Sequence, residues 1–366
     1  MAALLKELYS PKFYKNLADA IGAVLPSFNK QRFISHIFNE DFTGKELKAR
    51  MRHTSQVLHT FMPSDYKKTV ILLLKIIQQL KQKGIGEDGL AYMILPDYIE
   101  TYGLDDFETS IKAIEIITQY ISCEFAVRPF LLEYGDKMMN QMRIWSLHEN
   151  QKVRRLASEG SRPRLPWAKA IPALKKDPAP LLPILENLKN DPSEFVRRSV
   201  ANNINDIAKD HPLWVISLAR KWKGLSKETD AIIKHGSRTL LKQGHEQILR
   251  HYGLKSKNIH LSAFKIGTPS VKIGDHLSFS FLVSNLDKKI QTVRLEYGLY
   301  YRKANNQLAR KVFKISEKKV EPGIQLAIKR KQSFKKITTR KYYPGKHRLS
   351  IIVNGEEKAI KEFNLV

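Results

Sequence analysis

Residues 181–212 read LLPILENLKNDPSEFVRRSVANNINDIAKDHP. Apolar residues recur at three- and four-residue spacing on both sides of Asp191-Pro192. That pattern predicts an amphipathic helix, a polar turn, and a second helix opening on Val196-Arg197-Arg198. The arrangement is not unique in the chain. ENQKVRRLASEG at 149–160 aligns with DPSEFVRRSVANN at 191–203, so that Val153-Arg154-Arg155 precedes Val196-Arg197-Arg198 by 43 residues. HGSRTLLKQG at 235–244 reads as a third, looser copy.

A helix pair repeating every 40–47 residues or so is the spacing of HEAT and armadillo arrays. Such units stack into a curved solenoid with a concave binding face. Upstream, KELKARMRHTSQVLHTFM, DYKKTVILLLKIIQQLKQ and DDFETSIKAIEIITQYIS also carry helical periodicity, without a clean repeat before residue 120. They read as divergent repeats or a cap. The character changes near residue 255. HLSAFKIG, HLSFSFLVSN, TVRLEYGLYYRK and HRLSIIVNG alternate apolar and polar residues, are rich in β-branched and aromatic types, and are separated by turn residues. The expected fold is multidomain α + β. An all-α HEAT-like repeat solenoid over 1–255 is followed by a small all-β immunoglobulin-like sandwich over 256–366, without the cysteine pair of antibody domains.

The 63 Lys and Arg outnumber 36 Asp and Glu, for a net charge of +27. An excess this large calls for a polyanionic partner, and nucleic acid fits best. Residues 261–366 hold 23 Lys and Arg against 8 Asp and Glu, densest in RKANNQLARK and KRKQSFKKITTRK. Cys123 is the single cysteine, which excludes an internal disulfide and a cysteine-based zinc site. The N-terminal MAALLKELYSPKFYKNL lacks the apolar core of a signal peptide, and TVILLLKIIQQL is too short to span a bilayer. These features lead us to expect a cytoplasmic, bacterial, nucleoid-associated protein with no membrane partner, and a monomer.

No P-loop, dinucleotide fingerprint, HExxH or GxSxG occurs, and His148, His211 and His251 lack metal-ligand spacing. What remains are acids set among arginines. Glu124 lies in SCEFAVRPFLL, four residues before Arg128. EGSRPRLPWA at 159–168 holds two prolines that forbid an ordinary helix interior, which puts Glu159, Arg162, Arg164 and Trp167 on a stiffened, irregular segment between helices. Asp206 follows Arg197 and Arg198. A surface Glu–Arg pair at this spacing is commonly only a weak helix contact, and HEAT helices carry Asp and Arg for stacking.

FAVRPF at 125–130, EGSRPRLPWA at 159–168 and VRRSVANNINDIAKDHP at 196–212 resemble the AlkC-type alkylpurine DNA glycosylases of the AlkC/AlkD HEAT-like-repeat superfamily. The resemblance runs through roughly residues 1–255, and a subset of that family carries a C-terminal immunoglobulin-like domain. It implies a monofunctional glycosylase acting on double-stranded DNA, removing cationic alkylated bases such as 3-methyladenine and 3-methylcytosine without base flipping. By the same resemblance Glu159 and Asp206 stand nearest the sugar, with Glu124 close behind. Trp167 faces the lesion, and Arg155, Arg162, Arg164, Arg128, Arg197 and Arg198 serve DNA binding or support the acids. No metal or cofactor is implied. The competing reading from composition and repeats is a non-catalytic nucleic-acid-binding scaffold. Such a scaffold has no use for carboxylates gathered on a phosphate-binding face.

Overall fold

A computed structural model describes residues 4–337 and 340–366, so Thr338 and Thr339 of the basic run at 329–341 lie outside the described residues. The helical part holds α1 (Pro11–Val24), α2 (Lys30–Ile37), α3 (Leu47–His59), α4 (Tyr66–Gln82), α5 (Ile94–Tyr102), α6 (Phe107–Ile117) and α7 (Val127–Trp145). There follow α8 (Gln151–Gly160), α9 (Pro172–Lys176), α10 (Leu182–Leu188), α11 (Glu194–Ile207), α12 (Pro212–Trp222), α13 (Lys227–Gly236), α14 (Arg238–Gln243) and α15 (Glu246–His251). Short polar residues start many of them. Ser10, Asn29, Asp65, Asp106 and Asn150 each accept a backbone N–H of the first turn, which satisfies one of the donors a helix leaves unpaired.

The 43-residue repeat is the step from α8 to α11. Val153 and Val196 occupy the same place in the two copies, and both are fully buried, as are Ala157 and Val200. The helix α8 packs on α7 on one flank and on α11 on the other, and α11 packs in turn on α13. The approach to α7 is close. A Cβ on Gly160 would lie 2.5 Å from Val127 Cγ2, so only glycine fits where α8 ends. The third copy expected at 235–244 is displaced. Its first residues end α13 and the rest forms α14, while the helix stacked on α11 begins at Lys227. The Ser226 hydroxyl, accepting the Thr229 N–H at 3.0 Å, sets that start.

Eight strands form the C-terminal part: β1 (Ile259–Ile266), β2 (Ser270–Val271), β3 (His276–Asn285), β4 (Gln291–Arg302), β5 (Leu308–Val320), β6 (Gln325–Ser333), β7 (Gly345–Val353) and β8 (Glu356–Leu365). They make a three-stranded sheet, β1-β3-β6, and a five-stranded sheet, β2-β8-β7-β4-β5, antiparallel except for β2 with β8. Alternation does what the pleat requires. In β3, Leu277, Phe279, Phe281 and Val283 are buried, and they share one core with Leu295 and Leu299 of β4, Leu349 and Ile351 of β7 and Phe363 of β8. Asn354 (φ 47°) and Gly355 (φ 82°) take the left-handed conformations that a two-residue hairpin turn needs between β7 and β8. Among the described residues no helix is long and apolar enough to cross a membrane, and no His, Cys, Asp and Glu cluster could hold a metal ion.

Candidate active site

The site is built from the ends of neighbouring repeat helices. Glu159, expected on the irregular segment, lies instead in the last turn of α8, because the helix runs to Gly160 before the prolines end it, while Ser199 and Asp206 lie on α11. Glu124 sits just before α7, and Arg162, Arg164 and Trp167 lie on the proline-stiffened segment after α8. Salt bridges connect these residues in sequence. Arg155 Nη1 donates to Glu124 Oε2 at 2.8 Å, and its other terminal nitrogen is 3.9 Å from Glu159. Arg162 Nη1 donates to Glu159 Oε1 at 2.6 Å and Arg162 Nε to Asp206 Oδ2 at 2.8 Å. The result is an alternating chain of acid, arginine, acid, arginine and acid. Hydroxyls fix its carboxylates further. Ser199 donates to Glu159 Oε2 at 2.7 Å, and Ser122 to Glu124 Oε2 at 3.0 Å.

Glu124, Glu159, Arg162 and Trp167 line a cavity of about 310 Å³ whose other walls are largely apolar, including Tyr9, Met51, Met93 and Phe125. Asp206 does not reach it. Asp206 is only 1% exposed and stands behind Arg162, with Lys209 Nζ donating to its second oxygen at 2.8 Å. Burial alone would lower the Arg162 pKa, but Glu159 and Asp206 outweigh it and raise it. Trp167 is the reverse of a core tryptophan. The residue is 65% exposed and its backbone has φ of +64°, a conformation that non-glycine residues rarely adopt. Its carbonyl accepts a hydrogen bond from Lys48 Nζ.

The arginines divide into different roles. Arg128, expected at DNA, is buried, and its guanidinium donates to the carbonyls of Lys169 (2.5 Å), Gly160 (2.9 Å) and Arg162 (2.7 Å). It braces the segment carrying Trp167 and has no surface to offer a phosphate. Burial, and then the nearby Arg162 charge, bring its pKa down to about 10. Arg162 is also buried and committed to carboxylates. Arg155 is partly buried between Glu124 and the Phe195 ring, 4.5 Å from that ring's centroid. Arg164 forms a two-pronged pair with Asp210 at 3.1 and 2.5 Å, which lowers the Asp210 pKa. Arg197 donates to the carbonyls of Asp191 and Pro192 at the start of α11, and lines a groove of about 410 Å³ with the exposed Arg198 and Lys227.

Sequence reasoning missed Lys48, Ser122 and Ser199. Ser199 carried a signal, because it stands where the upstream copy has the buried Leu156. Lys48 carried none.

The family model described as DNA alkylation repair enzyme matches residues 47–240, and the one described as Uncharacterised protein YhaZ, C-terminal Ig-like domain matches residues 260–366. The chain is 45% identical over 363 residues to the Uncharacterized protein YhaZ of Bacillus subtilis (strain 168), covering 99% of each. It also resembles the Pseudomonas fluorescens alkylpurine DNA glycosylase AlkC bound to DNA containing an abasic site analog, with a TM-score of 0.93 and 36% identity over 100% of both chains. Helical repeats carrying a linked acid–arginine site, a C-terminal immunoglobulin-like sandwich and these matches together show that the chain belongs to the DNA alkylation repair enzyme family.

Proposed function

We propose that the protein is a monofunctional DNA glycosylase that hydrolyses the N-glycosidic bond of cationic alkylated bases, 3-methyladenine first and 3-methylcytosine with it, in duplex DNA. One observation carries the reading: Glu124 and Glu159 converge with Trp167 on one cavity in a chain of net charge +27. Carboxylates facing a polyanion oppose binding, and Arg155 and Arg162 offset only part of that cost, so a cationic substrate accounts for them. An alkylated base carries that charge in the ground state, and the charge passes to the sugar as the bonding pair leaves with the base.

A base already cationic leaves as a neutral molecule, so the chain has no need to donate a proton. The barrier lies in the oxocarbenium-like sugar. Glu159, held by Ser199 and Arg162, is fixed in place before charge develops, and a fixed group of this kind is worth about 3–4 kcal/mol by analogy with oxyanion holes. Glu124 sits on the same cavity and can orient the attacking water. Asp206 acts by fixing Arg162 from behind. The exposed Trp167 face adds cation–π attraction of about 0.5–2 kcal/mol. Arg164, Arg197 and Arg198 remain as phosphate partners, with Arg155 supporting the acids. Residues 256–366 serve as an accessory DNA-binding domain, and the duplex is engaged without extrusion of the base. The AlkC structure, solved on DNA, supports the choice of partner.

The test incubates the protein with methylated duplex DNA and measures free base. Release of 3-methyladenine with the strand left intact is expected. Release no faster than in buffer refutes the proposal and leaves the non-catalytic scaffold.

A further inference from the structure

We propose that Lys48 is a positioning residue that holds Trp167 in its working orientation, an inference that rests on the glycosylase reading above. Trp167 has no means of holding itself. The residue is 65% exposed, so packing holds it only in part, and its φ of +64° is one the backbone does not favour. The segment's other anchors lie on either side. Arg128 grips the carbonyls of Gly160 and Arg162 before the tryptophan and Lys169 after it. Within the segment, the Ala168 N–H reaches the Leu165 carbonyl at 3.3 Å and the Ile171 N–H the Pro163 carbonyl at 3.2 Å. Trp167's own carbonyl is taken by Lys48 Nζ, which arrives on α3 from 119 residues earlier. The same ammonium lies 4.7 Å from the centroid of the Phe125 ring, which lines the cavity with Trp167. Lys48 therefore ties a distant helix to the one strained residue of the site. A donor bonded to a carbonyl and resting on a ring face is oriented by both, and the carbonyl fixes the peptide plane from which the indole projects.

The experiment is a double-mutant cycle on single-turnover excision with the full chain. Lys48→Met is expected to slow excision about tenfold, the scale of a small misplacement of a reacting group. Its DNA affinity should stay within about twofold. In a Trp167→Ala background, Lys48→Met should change nothing further, because both substitutions remove the same contribution. Lys48→Arg, which keeps a donor, should recover most of the rate. Losses that add, or weaker DNA binding with a shallower salt dependence, would make Lys48 a phosphate ligand and overturn the proposal. A second readout needs no substrate. The Trp167 fluorescence anisotropy, taken as the difference between the chain and its Trp167→Phe variant, should fall in Lys48→Met. Unchanged anisotropy overturns the positioning role. Failure of the unsubstituted chain to release base overturns only the glycosylase reading.

Discussion

Replacing Arg162 by methionine isolates the electrostatics of the site. Arg162 is 7% exposed and stands between two carboxylates, Glu159 and Asp206, that are 5% and 1% exposed. Methionine keeps much of the stem and removes the charge that both acids share. Breaking a buried pair by removing one partner costs about 3–5 kcal/mol. Ser199 still serves Glu159, and Lys209 still serves Asp206, so the lower end, about 3 kcal/mol at pH 7, is expected. Urea unfolding at pH 7, followed through the buried Trp145 and Trp222, measures it. A deficit under about 1 kcal/mol, the size of an exposed pair, would refute the reasoning.

Ser199→Ala removes a donor that fixes the Glu159 carboxylate. Single-turnover excision should slow by about tenfold, the scale of one hydrogen bond to a charged group, with abasic-analogue affinity unchanged, and an unchanged rate would show that Ser199 does not position Glu159. Burial raises the Asp97 pKa, with Arg52 at 2.9 Å offsetting part of the effect. An acid with a raised folded pKa costs stability as pH rises through that value, so Asp97→Asn should gain on the unsubstituted chain with rising pH. The slope should be no more than about 1.4 kcal/mol per pH unit, read from urea midpoints between pH 4 and 8. On the sandwich, Lys329 and Lys331 are exposed on β6. Replacing both by serine should weaken DNA binding evenly across sequences. The slope of log K against log salt should fall by about 0.9 for each phosphate that no longer has a lysine partner, as titrations at several salt concentrations would show.

Much of this architecture is written in local pattern. The two Val-Arg-Arg copies mark helices because each follows a polar turn and buries small apolar residues at matching places, Val153 with Val196 and Ala157 with Val200. HLSFSFLVSN coincides with β3 because alternation is the signature of a strand covered on one face. Arg162 and Trp167 were legible as parts of a fixed, non-helical segment, since the prolines in EGSRPRLPWA announce one, whereas Glu159 falls in the last turn of α8. Burial of charge was not legible. Arg128 and Arg164 look alike as letters, yet one is sealed among carbonyls and the other pairs with Asp210 near the surface. Which acids share a cavity depends on helix ends meeting in space. Asp206 falls behind Arg162 while Glu124 reaches the cavity, and spacing alone does not separate those outcomes. Lys48, Tyr9 and Met51 come from the first sixty residues and join the site over long sequence separations, where periodicity says nothing.

The claim underlying all of this is that a negative side chain at the cavity acts on charge developing in the sugar. Glu159→Gln tests it most directly, because glutamine retains the shape and removes the charge. Single-turnover release of 3-methyladenine should fall by about 10²–10³-fold, the scale of losing one preorganised group, while the dissociation constant for abasic-analogue DNA stays within about threefold. Excision and binding falling together would contradict the account, and so would excision left unchanged.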